Sequence, residues 1–206
     1  MRKFDSSFRN DLRSTVENLE DASGIEMVVA ILPRATRYSA YFLGTAMVLA
    51  FLVLTVLMFI PTEFWYVLIY FETIGIGLIG AGLLWVFPGL LRLLVGKRQL
   101  RKNAVSKASS IFQKAKIYET RERIGILLVY CWFEKTVILL VDKGAAAMIP
   151  ADEIQAFEEK CQTIFSAADP AAALLSTLKD NQAMFASYIP ADIHPVNELP
   201  DDLWMD

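Results

Sequence analysis

The sequence has little of what most catalytic and disulfide-stabilised proteins depend on. Among 206 residues there are two cysteines and one histidine. Two cysteines cannot build a disulfide scaffold, and the single histidine, His194, excludes an H-E-x-x-H zinc motif and leaves little material for a Ser-His-Asp arrangement. An excess of basic residues is also lacking, since the formal net charge is −3. That charge argues against a nucleic-acid-binding protein.

Charge is missing altogether from one long part of the chain. No charged residue lies between Tyr38 and Thr62, and the run Ser39–Ile60 would measure about 33 Å as a helix, against a hydrocarbon core of about 30 Å. The stretch Phe64–Phe87 has one charged residue, Glu72, and is also long enough to span. The first run begins too late and is too long for a signal peptide. The sequence therefore predicts two membrane-spanning helices joined by a short turn at Pro61–Glu63.

The basic residues predict the orientation of these spans. Six Lys and Arg residues precede the first span, six lie between positions 92 and 107, and the Pro61–Glu63 turn has none. The positive-inside rule then places both chain termini in the cytoplasm, as in a two-span protein of the inner membrane. The same basic flanks favour contact with anionic lipids at the inner surface. From Gly144 to Asp206, by contrast, there are eleven acidic and two basic residues, which favours a partner with a basic surface.

Glycine is concentrated in the second predicted span. Gly75, Gly77, Gly80 and Gly82 include a G-x-G-x-x-G pattern, but a dinucleotide site would need a strand before it. Small residues in a span indicate close helix packing, either within the hairpin or against the helix of a partner. Glu72 has two interpretations: a carboxyl group that is protonated or reaches outward, or a contact to a membrane partner or ion path. The residues alone leave both questions open.

The remaining chain predicts a small α/β domain that the hairpin interrupts. Phe8, Leu12, Val16 and Leu19 share one helical face, and the apolar run Ile25–Leu32 is typical of a buried strand. After the hairpin, the pattern predicts a helix over 101–118, strands over 124–132 and 135–142, and helices over 151–165 and 170–188. The predicted organisation has four parts: residues 1–36 as the first part of a cytoplasmic domain, 37–96 as the hairpin, 97–190 as the second part of the domain, and 191–206 as an acidic, proline-rich tail.

The order of these elements predicts a mixed sheet. The first two strands are connected by a crossover helix and are therefore expected to be parallel, while the short connection at 133–134 makes the third strand antiparallel. Strands that are apolar on both sides need helices on both faces. The predicted fold is thus a small mixed-sheet α/β sandwich with an inserted two-helix transmembrane hairpin.

Four short motifs, in order, carry a resemblance to a known family. They are Ser23-Gly24-Ile25-Glu26, the segment Thr120–Leu127, the pattern Glu134-Lys135-x-Val137-(x)4-Asp142-Lys143-Gly144, and Asn197–Asp201. The chain resembles the TPM domain family, named for thylakoid-lumen, photosystem II repair and levamisole-receptor-modulator proteins. The resemblance covers residues 6–32 and 103–201. It departs from the named members in its hairpin, which interrupts the domain after the first strand, and in a domain predicted to face the cytoplasm.

The resemblance implies a metal site and a class of function. Family members are auxiliary factors of membrane complexes, with associated calcium binding and weak acid phosphatase activity. Oxygen ligands would suit Ca²⁺ or Mg²⁺. The alternative is that these side chains only cap a hairpin and hold the tail. The matching oxygen-bearing residues are Glu26, Glu134, Asp142, Asn197 and Glu198.

Two functions of different classes follow as expectations. The first is a non-catalytic accessory protein that assembles, stabilises or modulates a larger membrane complex through its hairpin and its TPM-like domain. The second is a membrane-tethered, divalent-metal-dependent phosphatase of low activity, which rests on the resemblance alone. An integral membrane protein complex is the expected partner, with self-association into a homo-oligomer left open.

Overall fold

The computed structural model describes residues 6–59, 66–120 and 122–191. The described residues up to Ala35 and from Arg101 form one compact unit, and those within Thr36–Leu100 form a second. The elements follow one another as α1 (Ser6–Ala22), β1 (Glu26–Leu32), α2 (Ser39–Phe59), α3 (Tyr66–Val86), α4 (Pro88–Val95), α5 (Lys97–Lys114), β2 (Gly125–Cys131), β3 (Thr136–Val141), α6 (Lys143–Met148), α7 (Ala151–Gln162) and α8 (Pro170–Tyr188).

The strands of the first unit form a mixed sheet in the order β1-β2-β3. β1 pairs in parallel with β2, in a register that places Glu26 opposite Gly125 and Leu32 opposite Cys131. β2 pairs with β3 in the antiparallel direction, with Cys131 opposite Thr136. The predicted parallel pair and the antiparallel third strand are therefore confirmed, and the chain has a mixed α/β fold that is mostly helical.

Both faces of this sheet are covered, as the apolar strands require. On one face, side chains of α1, α7 and α8 pack against alternate strand residues, and Leu12, Phe157 and Phe185 are among those buried there. On the other face, the strands pack against α5 through small residues such as Ala104 and Ala108. Every residue of β1 and β2 is buried as a result.

The second unit contains two helices, α2 and α3, that are long and apolar enough to cross a membrane by length and composition. We call them the apolar helix pair. No residue of α2 is buried, and large apolar side chains such as Phe51 (68% exposed) and Met58 (79% exposed) point away from the protein. A helix that packed in the core of a soluble domain would bury such residues.

Two backbone breaks define the short helix α4. The chain leaves helical conformation at Phe87, and Pro88 begins α4 at a position where a proline needs no hydrogen-bond donor. At the other end Gly96 has φ 80°, in the left-handed region that favours glycine. Helix α5 then begins directly at Lys97.

The structure departs from the sequence prediction mainly at helix ends. Helix α5 extends from Lys97 to Lys114 rather than over 101–118, because Lys116 adopts φ 55° and a 3-10 turn follows at Ile117–Glu119. Helix α7 ends at Gln162 and continues as a 3-10 turn. Helix α6 (Lys143–Met148) is absent from the prediction, which passes from a strand ending at 142 to a helix beginning at 151.

Candidate functional site

Two of the four glycines in α3 make the close approach to α2. A Cβ atom on Gly77 would lie 2.9 Å from the carbonyl oxygen of Ala46, and one on Gly80 would collide with the side chain of Leu49. Both glycines are buried. Packing within the apolar helix pair therefore accounts for both glycines. Gly77 lets the backbones of α2 and α3 approach closely, and Gly80 leaves room for the side chain of Leu49.

The other two glycines of α3 lie on a different side of the helix. A Cβ atom on Gly75 or Gly82 would meet nothing within 4 Å in the part of the chain that the structure describes. Seven residues separate them, so they share one helical face, and this face is roughly opposite to Gly77 and Gly80. We call it the open glycine face. The spacing in the sequence is enough to separate the two pairs of glycines, because helix positions seven apart lie on the same side and positions two apart lie on nearly opposite sides. Exposed apolar side chains flank the open glycine face, including Phe71, Leu78 and Ile79.

Glu72 lies beside the open glycine face. Its side chain is exposed, and it is about 60° around the helix axis from Gly75. No ion pair joins it to another residue that the structure describes. The structure thus places this carboxyl group on the outer surface of the apolar helix pair, where a membrane would oppose its charge.

Two of the predicted metal ligands lie at the same end of the sheet. Glu26 pairs with Gly125 on β2, and the Asp142 backbone N–H donates to the Gly125 carbonyl oxygen over 2.9 Å. The three residues therefore form a row across the strands, with Glu26 and Asp142 separated by two strand spacings, or about 10 Å. A Cβ atom on Gly125 would collide with the side chain of Ile117. An apolar side chain thus covers the position between the two acidic residues.

Asp142 is buried, and its two carboxylate oxygens have different surroundings. Oδ1 accepts a hydrogen bond from the backbone N–H of Lys143 over 2.7 Å and caps α6. Oδ2 is buried and has no hydrogen-bond partner within the described residues. Just beyond, the backbone N–H of Gly144 donates to the Arg123 carbonyl oxygen over 2.9 Å. Asp142 therefore has a structural role at the start of α6 and one oxygen that this role does not use.

Glu134 is at the opposite end of the sheet. It lies in the turn between β2 and β3, next to the end of β1, and its Oε1 accepts a hydrogen bond from the backbone N–H of Ala35 over 3.0 Å. Since β2 is seven residues long, about 20 Å of strand separate Glu134 from the end that holds Glu26 and Asp142. The register of the sheet therefore does not bring Glu134 together with the other two carboxylates.

The predicted metal site of five residues extends beyond the described part of the chain. Asn197 and Glu198 lie outside the described residues, as do the rest of the acidic tail from position 192, His194 and the Pro61–Glu63 turn. Within the described ranges, no group of three or more His, Cys, Asp or Glu residues is placed to hold a metal ion. Glu26 and Asp142 are the two described candidates that share an end of the sheet.

Neither cysteine is placed to act as a nucleophile. Burial raises the pKa of the Cys131 thiol to about 12, with a further contribution from the nearby charge of Glu134. Burial likewise raises the pKa of Cys161 to about 11, although the hydroxyl of Tyr130 beside it acts in the other direction. Both thiols are free and buried. They therefore remain protonated at neutral pH and serve as small core residues.

Comparison with known proteins gives a fold and no family. No family model matches the chain, and no curated protein matches it. Among solved structures, the chain is similar to the BA42 protein of the psychrophilic bacterium Bizionia argentinensis, determined by NMR, with a TM-score of 0.59 and 12% sequence identity. The alignment covers 98% of this chain and 94% of that one. At this level of identity the similarity shows a shared fold alone.

Proposed function

We propose that this chain is a non-catalytic accessory protein of the inner membrane, which assembles, stabilises or modulates a larger membrane protein complex. The apolar helix pair anchors it and the α/β unit faces the cytoplasm. The observation that carries the proposal is the open glycine face. Gly75 and Gly82 are not used by α2 and leave a smooth, apolar surface on α3. Small residues on the outer surface of a span are the usual contact sites for another helix.

Several features support the membrane location. None of the residues in the most apolar stretch of α2 is buried, and 17% of those in the corresponding stretch of α3 are buried. The core helices of a soluble protein would bury most of theirs. Helix α2 begins at Ser39, too late for a signal sequence. Basic residues precede α2 and follow α3 in the sequence, which supports two cytoplasmic termini by the positive-inside rule. Glu72, beside the open glycine face, is a candidate for a polar contact with the partner.

The resemblance to the TPM domain supports the accessory role. The motif Ser23–Glu26 leads into β1, and the segment Glu134–Gly144 contains β3 and the start of α6. The proposal extends the auxiliary function of that family to this chain, with the hairpin as the part that contacts membrane helices. A second copy of the chain is one partner that the open glycine face would fit.

The proposal is tested by affinity purification of the tagged full chain from native membranes in mild detergent. We expect one membrane complex, or a homo-oligomer, to be recovered with the wild-type chain. Replacing both Gly75 and Gly82 by leucine is expected to reduce that recovery at least fivefold. Gly44→Leu is the matched control, because Gly44 also has open space around it but lies on α2.

Two outcomes would contradict the proposal. One is that no membrane protein is recovered above the level of an untagged control. The other is that the Gly75→Leu, Gly82→Leu double variant recovers the same partner in the same amount as wild type. Blue native electrophoresis of the same samples shows whether a loss of partner reflects unfolding, since an unfolded variant would aggregate rather than migrate as a smaller species.

A second candidate function, a divalent-metal-dependent phosphatase, is favoured by one observation. The Oδ2 oxygen of Asp142 is buried without a hydrogen-bond partner in the described residues, and Glu26 lies at the same end of the sheet. Carboxylate oxygens suit Mg²⁺ or Ca²⁺, and such an ion would supply Lewis-acid stabilisation of a phosphate oxygen. The test is hydrolysis of p-nitrophenyl phosphate by the purified chain with each ion. Turnover that Asp142→Asn abolishes would support this function, and no turnover with either ion would exclude it.

A further inference from the structure

Helix α4 presents an apolar surface that no other described residue covers. Leu91 and Val95 are buried, whereas Leu90, Leu93 and Leu94 are 46%, 78% and 53% exposed. At 100° per residue, the three exposed leucines occupy one side of the helix. We call them the leucine face. An apolar patch of this kind on an eight-residue helix indicates a binding surface rather than scattered exposed residues.

The leucine face continues the apolar surface of α3. The last residues before α4, Trp85, Val86 and Phe87, are 75%, 57% and 56% exposed. In the proposed membrane protein, these residues lie at the cytoplasmic end of the second span. The helical conformation is interrupted at Phe87, and α4 begins at Pro88. A short helix that directly follows a span and turns exposed leucines outward is suited to lie in the membrane interface.

Positive charge follows immediately after the leucine face. Lys97 and Arg98 occupy the first turn of α5, are exposed, and make no ion pair with a residue that the structure describes. Cations in the first turn of a helix are opposed by the helix dipole, and this turn has no acidic residue to offset them. An anionic phosphate would be attracted both by these side chains and by the helix dipole. The adjacent order of apolar face and cationic turn matches the order of acyl chain and headgroup in a bilayer.

We propose that α4 and the first turn of α5 form an anionic-phospholipid-binding segment. Leu90, Leu93 and Leu94 insert among the acyl chains, and Lys97 and Arg98 bind the phosphates of anionic headgroups. The proposal rests on the membrane anchoring in the proposed function and goes beyond it, because it assigns the lipid contact to particular side chains. Binding would fix the depth and direction in which the chain leaves the second span.

The first experiment measures the depth of the leucine face. Leu93→Cys in the full chain is labelled with bimane, which is selective because the native cysteines are buried, and the protein is placed in nanodiscs with lipids brominated in their acyl chains. We expect at least twofold quenching relative to unbrominated lipid. Leu52→Cys, at an exposed position of α2, is the positive control. Absence of quenching at Leu93 with quenching at Leu52 overturns the lipid contact of α4, and absence at both overturns the anchoring itself.

The second experiment measures the preference for anionic lipid. The purified chain is exchanged into nanodiscs of phosphatidylcholine with 20% phosphatidylglycerol, and lipids retained after extraction are counted by native mass spectrometry. We expect the ratio of retained phosphatidylglycerol to phosphatidylcholine to be at least threefold lower for the double variant Lys97→Gln, Arg98→Gln than for wild type. The control Lys114→Gln, Lys179→Gln removes equal charge, with Lys114 about 25 Å along α5 from Lys97.

The controls separate specific binding from bulk charge. The proposal requires the Lys114, Lys179 variant to keep the wild-type preference. Equal losses in both double variants, or no loss in either, would overturn the assignment to Lys97 and Arg98. Both experiments use only the purified chain and lipid, so their outcome is independent of whether a membrane complex is recovered in the affinity purification.

Discussion

The backbone N–H of Ala35 donates a hydrogen bond to Oε1 of Glu134 over 3.0 Å, although the two residues are 99 positions apart. The bond joins the chain just after β1 to the turn between β2 and β3. Further backbone bonds run alongside it, from Trp132 N–H to the Leu32 carbonyl and from Phe133 N–H to the Pro33 carbonyl. This end of the sheet therefore holds the segment that leads from β1 toward Thr36.

Glu134 is expected to be more important for stability than other glutamates. Because Glu134 is 5% exposed and its carboxylate accepts the Ala35 N–H, Glu134→Ala should leave a buried donor without a partner and lower the free energy of unfolding by about 1–3 kcal/mol. Glu134→Gln keeps an acceptor oxygen and should lose less. Urea denaturation in mild detergent, followed by circular dichroism, measures both. Glu159→Ala, at an exposed position, is the control. If Glu134→Ala lowered the free energy of unfolding no more than Glu159→Ala does, the stabilising role of Glu134 would be contradicted.

Gly144 is expected to tolerate no side chain. A Cβ atom there would collide with the carbonyl oxygen of Glu122 and lie 2.7 Å from that of Arg123. Because both neighbours are backbone, Gly144→Ala should force apart the contact between α6 and the segment before β2, at a cost of about 1–3 kcal/mol. The same denaturation measurement tests it, with the exposed Ala146→Ser on α6 as control. A Gly144→Ala variant as stable as wild type would contradict the prediction that this backbone contact leaves no room for a side chain.

The glycines of α3 are expected to divide into two groups by their effect on stability. Gly77→Leu should separate α3 from α2, because its side chain would meet the Ala46 carbonyl, and the thermal midpoint in detergent should fall by at least 5 °C. Gly75→Leu should leave the midpoint within about 1 °C, since its position is open. Thermal scanning of the purified chain measures both. Equal effects would contradict the assignment of Gly77 to the helix pair and of Gly75 to the open glycine face.

Stability is expected to fall at alkaline pH because of the buried thiols. The pKa of Cys131 is raised to about 12 and that of Cys161 to about 11 by burial, from an ordinary value of 9.0. The unfolded state therefore loses protons that the folded state keeps, so stability is fully present below pH 9 and declines as the pH rises toward 11 to 12. The loss for each thiol is at most about 1.4 kcal/mol per pH unit within its window.

This pH dependence is measured by urea denaturation between pH 8 and pH 11. The double variant Cys131→Ala, Cys161→Ala should show a smaller decline with pH than wild type, whatever its stability at pH 8. Labelling supplies a second readout: in the folded chain neither thiol should react with a thiol reagent at pH 8, and both should react in urea. A wild-type slope that the double variant reproduces would show that other groups cause the decline.

Much of the fold was predictable because it depends on local patterns. The run Ser39–Ile60 is apolar without interruption, and it predicted α2 within one residue at each end. The continuous apolar strands predicted a sheet covered on both faces, and the short connection after the second strand predicted an antiparallel third strand. Helix α6 was missed, although Asp142 followed by Lys143, Gly144 and three alanines is a recognisable capped start. Its six residues are too few to show a periodic pattern.

The candidate site was less predictable, because it depends on which residues the fold brings together. Glu134 and Asp142 are eight residues apart, yet β3 places them at opposite ends of the sheet. The four glycines of α3 lie within eight residues, yet two contact α2 and two do not. A motif that lists such residues in order contains no information about strand direction or about which side of a helix is already occupied.

The sequence by itself determined that this chain has two long apolar helices, an α/β domain that they interrupt, and a basic region beside them. Hydropathy, charge and spacing are properties of neighbouring residues, and they can be measured along the chain. Only the tertiary structure decided that Gly75 and Gly82 remain open, that Glu26 and Asp142 share an end of the sheet, and that the leucines of α4 face outward. These facts depend on strand register and helix rotation, which packing between distant segments selects.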